Sequence, residues 1–256
     1  MKNVKFILGA IRRADEEFGM ISDGDHVLVG VSGGKDSMAL LHMMGLYRYF
    51  FPGTFRLTAA TLDLGLGGLD GEPIARCCRE RDIPYVFRRT NIGKVVFEAR
   101  QEKNPCSLCA RMRRGALHTL ARELGCNKVA LGHHREDVLE TFLLSLLYEG
   151  RLRTFSPVVW MDRAGLMQIR PMVFVPERRL IGAVRRLDLP VQESPCPVAS
   201  HTRRADMKQL LKVLHTLRPD AEEYMLQAIR NTHTYRLWDR VKEGTYRSDE
   251  ETPDPD

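Results

Sequence analysis

The chain has 256 residues, 43% of them hydrophobic and 28% charged, enough for one sizeable globular core. No apolar run approaches the roughly 20 residues of a membrane span, and the N-terminal segment reads as an amphipathic helix with acidic residues behind it, which argues against a signal peptide. The net charge is +6; the last nine residues hold five acids and no base, so the rest of the chain carries +11 and suits a polyanionic partner.

In chain order, residues 2 to about 18 read as a first helix. Val27 to Val31 is a short apolar strand that runs into Ser32-Gly33-Gly34-Lys35-Asp36-Ser37, and Met38 to about Phe50 is a helix-forming run. Phe55 to Asp63 reads as a buried strand ending in a carboxylate, followed by a Gly-rich loop from Leu64 to Gly71. A helix is expected from Glu72 to Arg81, a strand from Ile83 to Arg89, and helix again from Ile92 to Gln101. Pro105 opens a cysteine turn, then Arg111 to Leu124 reads as a helix closed by Gly125. Asn127 to Gly132 is a fourth strand, Glu136 to Tyr148 an apolar helix, and Leu166 to Arg170 a fifth strand. Helices follow at Pro176–Leu187, Arg203–Leu217 and Pro219–Asn231. Strands alternating with helices imply an α/β fold: a parallel sheet with helices on both faces and extra helices at the two ends. We read residues 1–245 as a single domain and 246–256 as a disordered acidic tail.

Three segments fall at the carboxyl ends of strands, where ligands sit in such sheets. The first is the Ser32–Ser37 loop. Gly33 and Gly34 permit positive φ and close backbone approach, Ser32 and Ser37 supply hydroxyls, Lys35 supplies a cation, and the following helix start favours an anion. Neither GxxxxGK[ST] nor GxGxxG is present. The second is Asp63 with its Gly-rich loop. The third is Gly132-His133-His134, where Gly132 is expected to let a nucleotide approach, and Asp137 to bind magnesium through oxygen. For His133 and His134 strand-end polarity is an equal reading.

Six cysteines without a secretion signal point to a reducing compartment, the cytoplasm, and to metal or thiol chemistry. Cys106 and Cys109 form a CxxC pair, which alone fits a redox dithiol, half a zinc site or half an iron–sulfur site. The next candidate ligand is Cys196, set between two prolines. Cys77, Cys78 and Cys126 read as small buried hydrophobes. Arg111, Arg113 and Arg114 follow the CxxC and are candidates for phosphate contact, of ATP or of RNA.

SGGKDS resembles the PP-loop of the ATP pyrophosphatases that cleave ATP between its α and β phosphates. Taken with CSLCARMRRG and LGHHREDVLETFLLSLLYEG, in that order, it resembles the tRNA 2-thiocytidine synthetases (the TtcA family) over about residues 5 to 235. The resemblance implies ATP and magnesium at the PP-loop, with Asp36 and Asp137 in the chemistry. It implies a 4Fe-4S cluster on Cys106, Cys109 and Cys196. It also implies a tRNA whose cytidine 2-carbonyl is adenylated and replaced by sulfur. The sulfur would come from a cysteine desulfurase or from sulfide, through the open iron or a cysteine persulfide. The segment SPCPVA at Cys196 and the loop LGLGGLDGEP both depart from the family's usual wording. The alternatives are a PP-loop enzyme acting on another base or a small molecule, and a nucleotide-binding iron–sulfur redox sensor. The sequence leaves the oligomeric state open, a homodimer included.

Overall fold

The computed structural model describes residues 2–100, 105–193, 196 and 203–231. Residues 194–195 and 197–202 around Cys196, the segment 101–104 and residues 232–256, which include the acidic tail, lie outside them. Six strands form one sheet: β1 (His26–Gly30), β2 (Arg56–Asp63), β3 (Tyr85–Arg89), β4 (Lys128–Ala130), β5 (Val158–Met161) and β6 (Leu166–Ile169). Their order is β3-β2-β1-β4-β6-β5. All pairings are parallel except β5 with β6, which is antiparallel.

The helices are α1 (Lys2–Phe18), α2 (Lys35–Tyr47), α3 (Glu72–Arg79), α4 (Ile92–Lys94), α5 (Pro105–Glu123), α6 (Arg135–Glu149), α7 (Glu177–Arg186), α8 (Arg203–Leu217) and α9 (Ala221–Arg230). The central strands are buried on both faces, as parallel strands require. Val27, Val29, Leu57, Ala59 and Ala130 enter one core with α1, α2, α3, α6 and α7; Leu28, Ala60 and Val129 face Leu117, Leu120 and Ala121 of α5 in the other. Among the described residues, α5 alone supplies helical residues to the second core. No described helix is long and apolar enough to cross a membrane.

Four local expectations change. Val158–Met161, to which the sequence pattern assigned no element, is the edge strand of a hairpin closed by amides of Ala164 and Gly165 donating to the Met161 carbonyl. The expected helix over Ile92 to Gln101 is a short α4 that widens into a π-helical turn at Val95–Ala99, and Gln101 lies outside the described residues. The Lys35-Asp36-Ser37 end of the PP-loop is already the first turn of α2, where an acid such as Asp36 is favoured by the helix dipole. Pro105 opens no separate turn: it is the first residue of α5, a position where its missing N–H costs nothing. Cys106 and Cys109 therefore sit three residues apart on one face of a helix's first turn.

Candidate active site

The PP-loop is closed by its own hydroxyls. Ser37 Oγ accepts from the Ser32 amide at 3.1 Å, stands 3.2 Å from Ser32 Oγ, and donates to the Gly34 carbonyl at 2.9 Å. Gly33 holds φ of +83°, a conformation that L side chains rarely adopt. Its carbonyl accepts from the Gln192 amide at 2.9 Å, and the Gln192 side chain brackets the backbone of Asp70 in the Gly-rich loop. The stretch leading to Cys196 is thus pinned to the PP-loop. Sequence reasoning missed Gln192, because no motif marks a contact between residues so far apart in the chain.

Beside the loop lies a cleft of about 380 Å³, within the usual size range of small-ligand pockets. Ser32, Asp36 and Ser37 form one wall; Gly132, His133 and Asp137 form another; Ala110, Arg113 and Arg114 of α5 close it. The expected segments at β1 and β4 therefore do meet. Two expected residues, Asp63 and Lys35, lie outside the cleft's lining. Asp63 is not part of the lining: its Oδ1 accepts from the Gly65 amide at 2.9 Å and shapes the turn after β2. Lys35 is also outside the lining, with Nζ 2.8 Å from the Asp36 carboxylate and 2.9 Å from Glu177. Burial works against its charge, but the hydrogen bonds and charges of Asp36 and Glu177 prevail and push Lys35 up. Gly132 serves packing: a Cβ there would lie 3.1 Å from the Asp36 carbonyl and the Ser37 amide, so glycine lets the first turn of α2 seat against the end of β4.

Between the walls sits His134, 4% exposed. Its ring faces Asp36 at 3.8 Å, Asp137 at 3.5 Å and Glu136 at 3.2 Å. Burial lowers its basicity, yet the Glu136 hydrogen bond and the charges of Asp137 and Asp36 outweigh burial and raise it. Glu136 is held down at about 2, because the His134 hydrogen bond and Arg135 overcome burial. Asp137 also caps α6, accepting from the His134 amide at 3.0 Å. Its neighbour His133 is different: burial first, then Arg170, lowers it to about 4. This neutral ring stacks 4.9 Å from Phe155, and its buried Nδ1 has no partner among the described residues. Arg204 of α8 reaches Asp137 at 3.6 Å and Glu140 at 3.3 Å. Glu177 was also missed: it acts through helix packing that local sequence does not encode.

No disulfide joins any of the six cysteines, and Cys77, Cys78 and Cys126 are buried as expected. Cys106 is exposed and Cys109 partly so. Burial pushes the Cys109 thiol up, Arg113 opposes this, and the Cys196 and Cys106 sulfurs add to it. The three sulfurs are therefore near enough to interact across the described surface. Among the described residues no three Cys, His or acidic groups are close enough to hold a single metal ion. A cubane cluster is larger than an ion and is ligated at its corners, so its cysteines stand further apart. One helix joins the two features: α5 starts with Cys106 and Cys109 and walls the cleft one turn later.

Comparison with known proteins agrees with this geometry. A model described as the PP-loop domain matches residues 10–214. The tRNA-cytidine(32) 2-sulfurtransferase of Geobacter sulfurreducens is 39% identical over 238 residues, 92% of this chain and 93% of the relative. That of Citrifermentans bemidjiense is 38% identical over 237 residues, 91% and 93% of the two chains. Among solved structures, the U34-tRNA thiolase NcsA of Methanococcus maripaludis with its [4Fe-4S] cluster superposes with a TM-score of 0.71 at 23% identity, covering 88% of this chain and 78% of that one. The NH3-dependent NAD synthetase of Campylobacter jejuni gives a TM-score of 0.50 at 16% identity, covering 95% of this chain and all of the other, a likeness of fold. The chain belongs to the PP-loop domain family and, within it, to the family of the tRNA-cytidine(32) 2-sulfurtransferases.

Proposed function

We propose that this protein uses ATP to replace the 2-oxygen of a tRNA cytidine, at position 32, with sulfur. The observation that carries the reading is the shared wall: α5 presents two cysteines in its first turn and, one turn on, lines the cleft that the PP-loop faces. This shared wall supports a reading in which ATP chemistry and sulfur chemistry work side by side.

A carbonyl oxygen is a poor leaving group. Its attack on the α-phosphorus of ATP breaks the bond to the bridging oxygen, releases pyrophosphate and leaves the oxygen bonded to AMP. Sulfur can then displace AMP. Ser32, Ser37 and the amides at the start of α2 bind the departing phosphates. Asp36 and Asp137, on facing walls, offer carboxylate oxygens of the kind magnesium prefers. The His134 ring stands between them, 3.8 Å from Asp36 and 3.5 Å from Asp137, and holds the two walls in register. Arg113 and Arg114 face the phosphates from α5. Neutral His133, with its unpartnered Nδ1, and the wall at Gly132 bound the nucleotide side.

Cys106, Cys109 and Cys196 would hold the cluster. When bound by three thiolates, a [4Fe-4S] cluster leaves one iron open to carry sulfur. The sulfur donor is a cysteine desulfurase or sulfide, and a tRNA substrate places the reaction in the cytoplasm. The test is RNA-dependent pyrophosphate release. Wild-type protein should release pyrophosphate when given tRNA and ATP, and Asp36→Ala should abolish release while remaining folded. Products of ADP and phosphate would refute the assignment.

A further inference from the structure

A second depression, about 540 Å³, runs between α5 and the β5–β6 hairpin. Its lining includes Arg111, Arg114, Arg122 and Arg163, against one carboxylate, Asp162. It continues past Arg122 and Arg163 into a shallower trough toward Cys126. Arg114 lines both this groove and the cleft, so the two are neighbours along α5.

Helical spacing explains the alignment. Residues 111, 115, 118 and 122 recur every three or four positions and share one face of α5. From Arg111 to Arg122 the helix rises about 16 Å, on the order of five nucleotide steps at duplex rise. Arg163 stands opposite, on the hairpin turn. None of these four guanidinium groups makes an ion pair or hydrogen bond with a described residue. By contrast Arg135, Arg204, Arg218 and Arg230 are all paired to carboxylates. The neighbouring Glu123 is taken by Arg88 at 2.7 Å. Four like charges gathered along one groove against a single carboxylate repel each other, an arrangement that an external polyanion relieves.

We propose that this groove is the docking surface for the RNA substrate: Arg111, Arg122 and Arg163 engage backbone phosphates spaced along it, and Arg114 marks the point where the strand passes into the cleft. This rests on the reading of the protein as a tRNA-modifying enzyme and adds where the RNA lies. The binding is backbone recognition, indifferent to sequence; an unpaired base must leave the strand to reach the cleft, since pairing hides a pyrimidine 2-carbonyl.

Each phosphate contact contributes a salt slope of about 0.7 to 0.9 in log K against log salt. Losing one therefore weakens binding about 5- to 8-fold at 0.1 M salt relative to 1 M, and losing two about 25- to 60-fold. The experiment measures tRNA affinity of the full-length protein at several salt concentrations, without ATP. Arg122→Ala and Arg163→Ala should each lower affinity and salt slope by these amounts, and the double variant by their product. Arg122→Lys, which keeps the charge, should retain the slope. Arg186→Ala, on α7 across the sheet, should bind like wild type. ATP affinity and thermal unfolding should be unchanged in all of them, since these exposed side chains touch neither core nor cleft. If wild type binds tRNA and the double variant binds equally well, the groove is not the docking surface, while the proposed function stands. If wild type binds no tRNA at any salt, both fall.

Discussion

Glu140 gives a pH dependence that can be worked from the structure. It lies on α6 one turn beyond Asp137, 4% exposed, with its Oε2 3.3 Å from Arg204 Nε. Burial pushes its carboxyl up from 4.5 to about 7; Arg204 offsets part of that rise and Asp137 adds to it. Below pH 4.5 the group is neutral both folded and unfolded. Between 4.5 and 7 the unfolded chain has released a proton that the folded chain retains, so stability falls by about 1.4 kcal/mol per pH unit. Above pH 7 the full cost, about 3 kcal/mol, remains. Glu140→Gln keeps an acceptor for Arg204 and cannot ionise. It should change stability by under about 1 kcal/mol at pH 5 and raise it by up to about 3 kcal/mol at pH 8. Urea unfolding of both proteins at the two pH values measures this. An equal effect at both, or a loss at pH 8, would show that Glu140 is ionised and well paired in the fold, contrary to this reasoning.

Two further outcomes follow from the site. Gly132→Ala forces a Cβ to 3.1 Å from the backbone of Asp36 and Ser37; it should cost about 1–3 kcal/mol in thermal unfolding and weaken ATP binding by calorimetry, whereas Gly9→Ala, with open space around it, should do neither. Serine in place of Cys106, Cys109 or Cys196 should each lower the iron content of anaerobically prepared protein, which is about four per chain in the wild type; Cys77→Ser and Cys126→Ser should keep it, and stoichiometric zinc in a colourless wild-type protein would refute the cluster.

Much of the site was legible because its residues are contiguous. A strand, six loop residues and a helix specify the PP-loop without distant help, and Gly132–Asp137 sits at the neighbouring parallel strand, as the topology demands. Where the structure departs from the sequence pattern, the reasons are physical. Asp63 has the residue type and strand end of a ligand, but the Gly65 amide takes its carboxylate. Lys35 has the charge for phosphate, but Glu177 and Asp36 hold it, and Glu177 arrives from α7, far away in the chain. Pro105 looked like a turn residue; at a helix's first position it serves equally well. The β5 strand was missed although Val158-Val159-Trp160-Met161 followed by Asp162-Arg163-Ala164-Gly165 is a hairpin signal. That omission hid the groove, because its second wall is this hairpin.

The proposed function stands or falls on its product. The most direct measurement is mass spectrometry of nucleosides from tRNA incubated with cluster-loaded protein, ATP, magnesium and a sulfur source. The account predicts 2-thiocytidine, mapping to position 32, that requires ATP and disappears with Asp36→Ala. Pyrophosphate release with no thiolated nucleoside, or a thiolated uridine in place of cytidine, would contradict it.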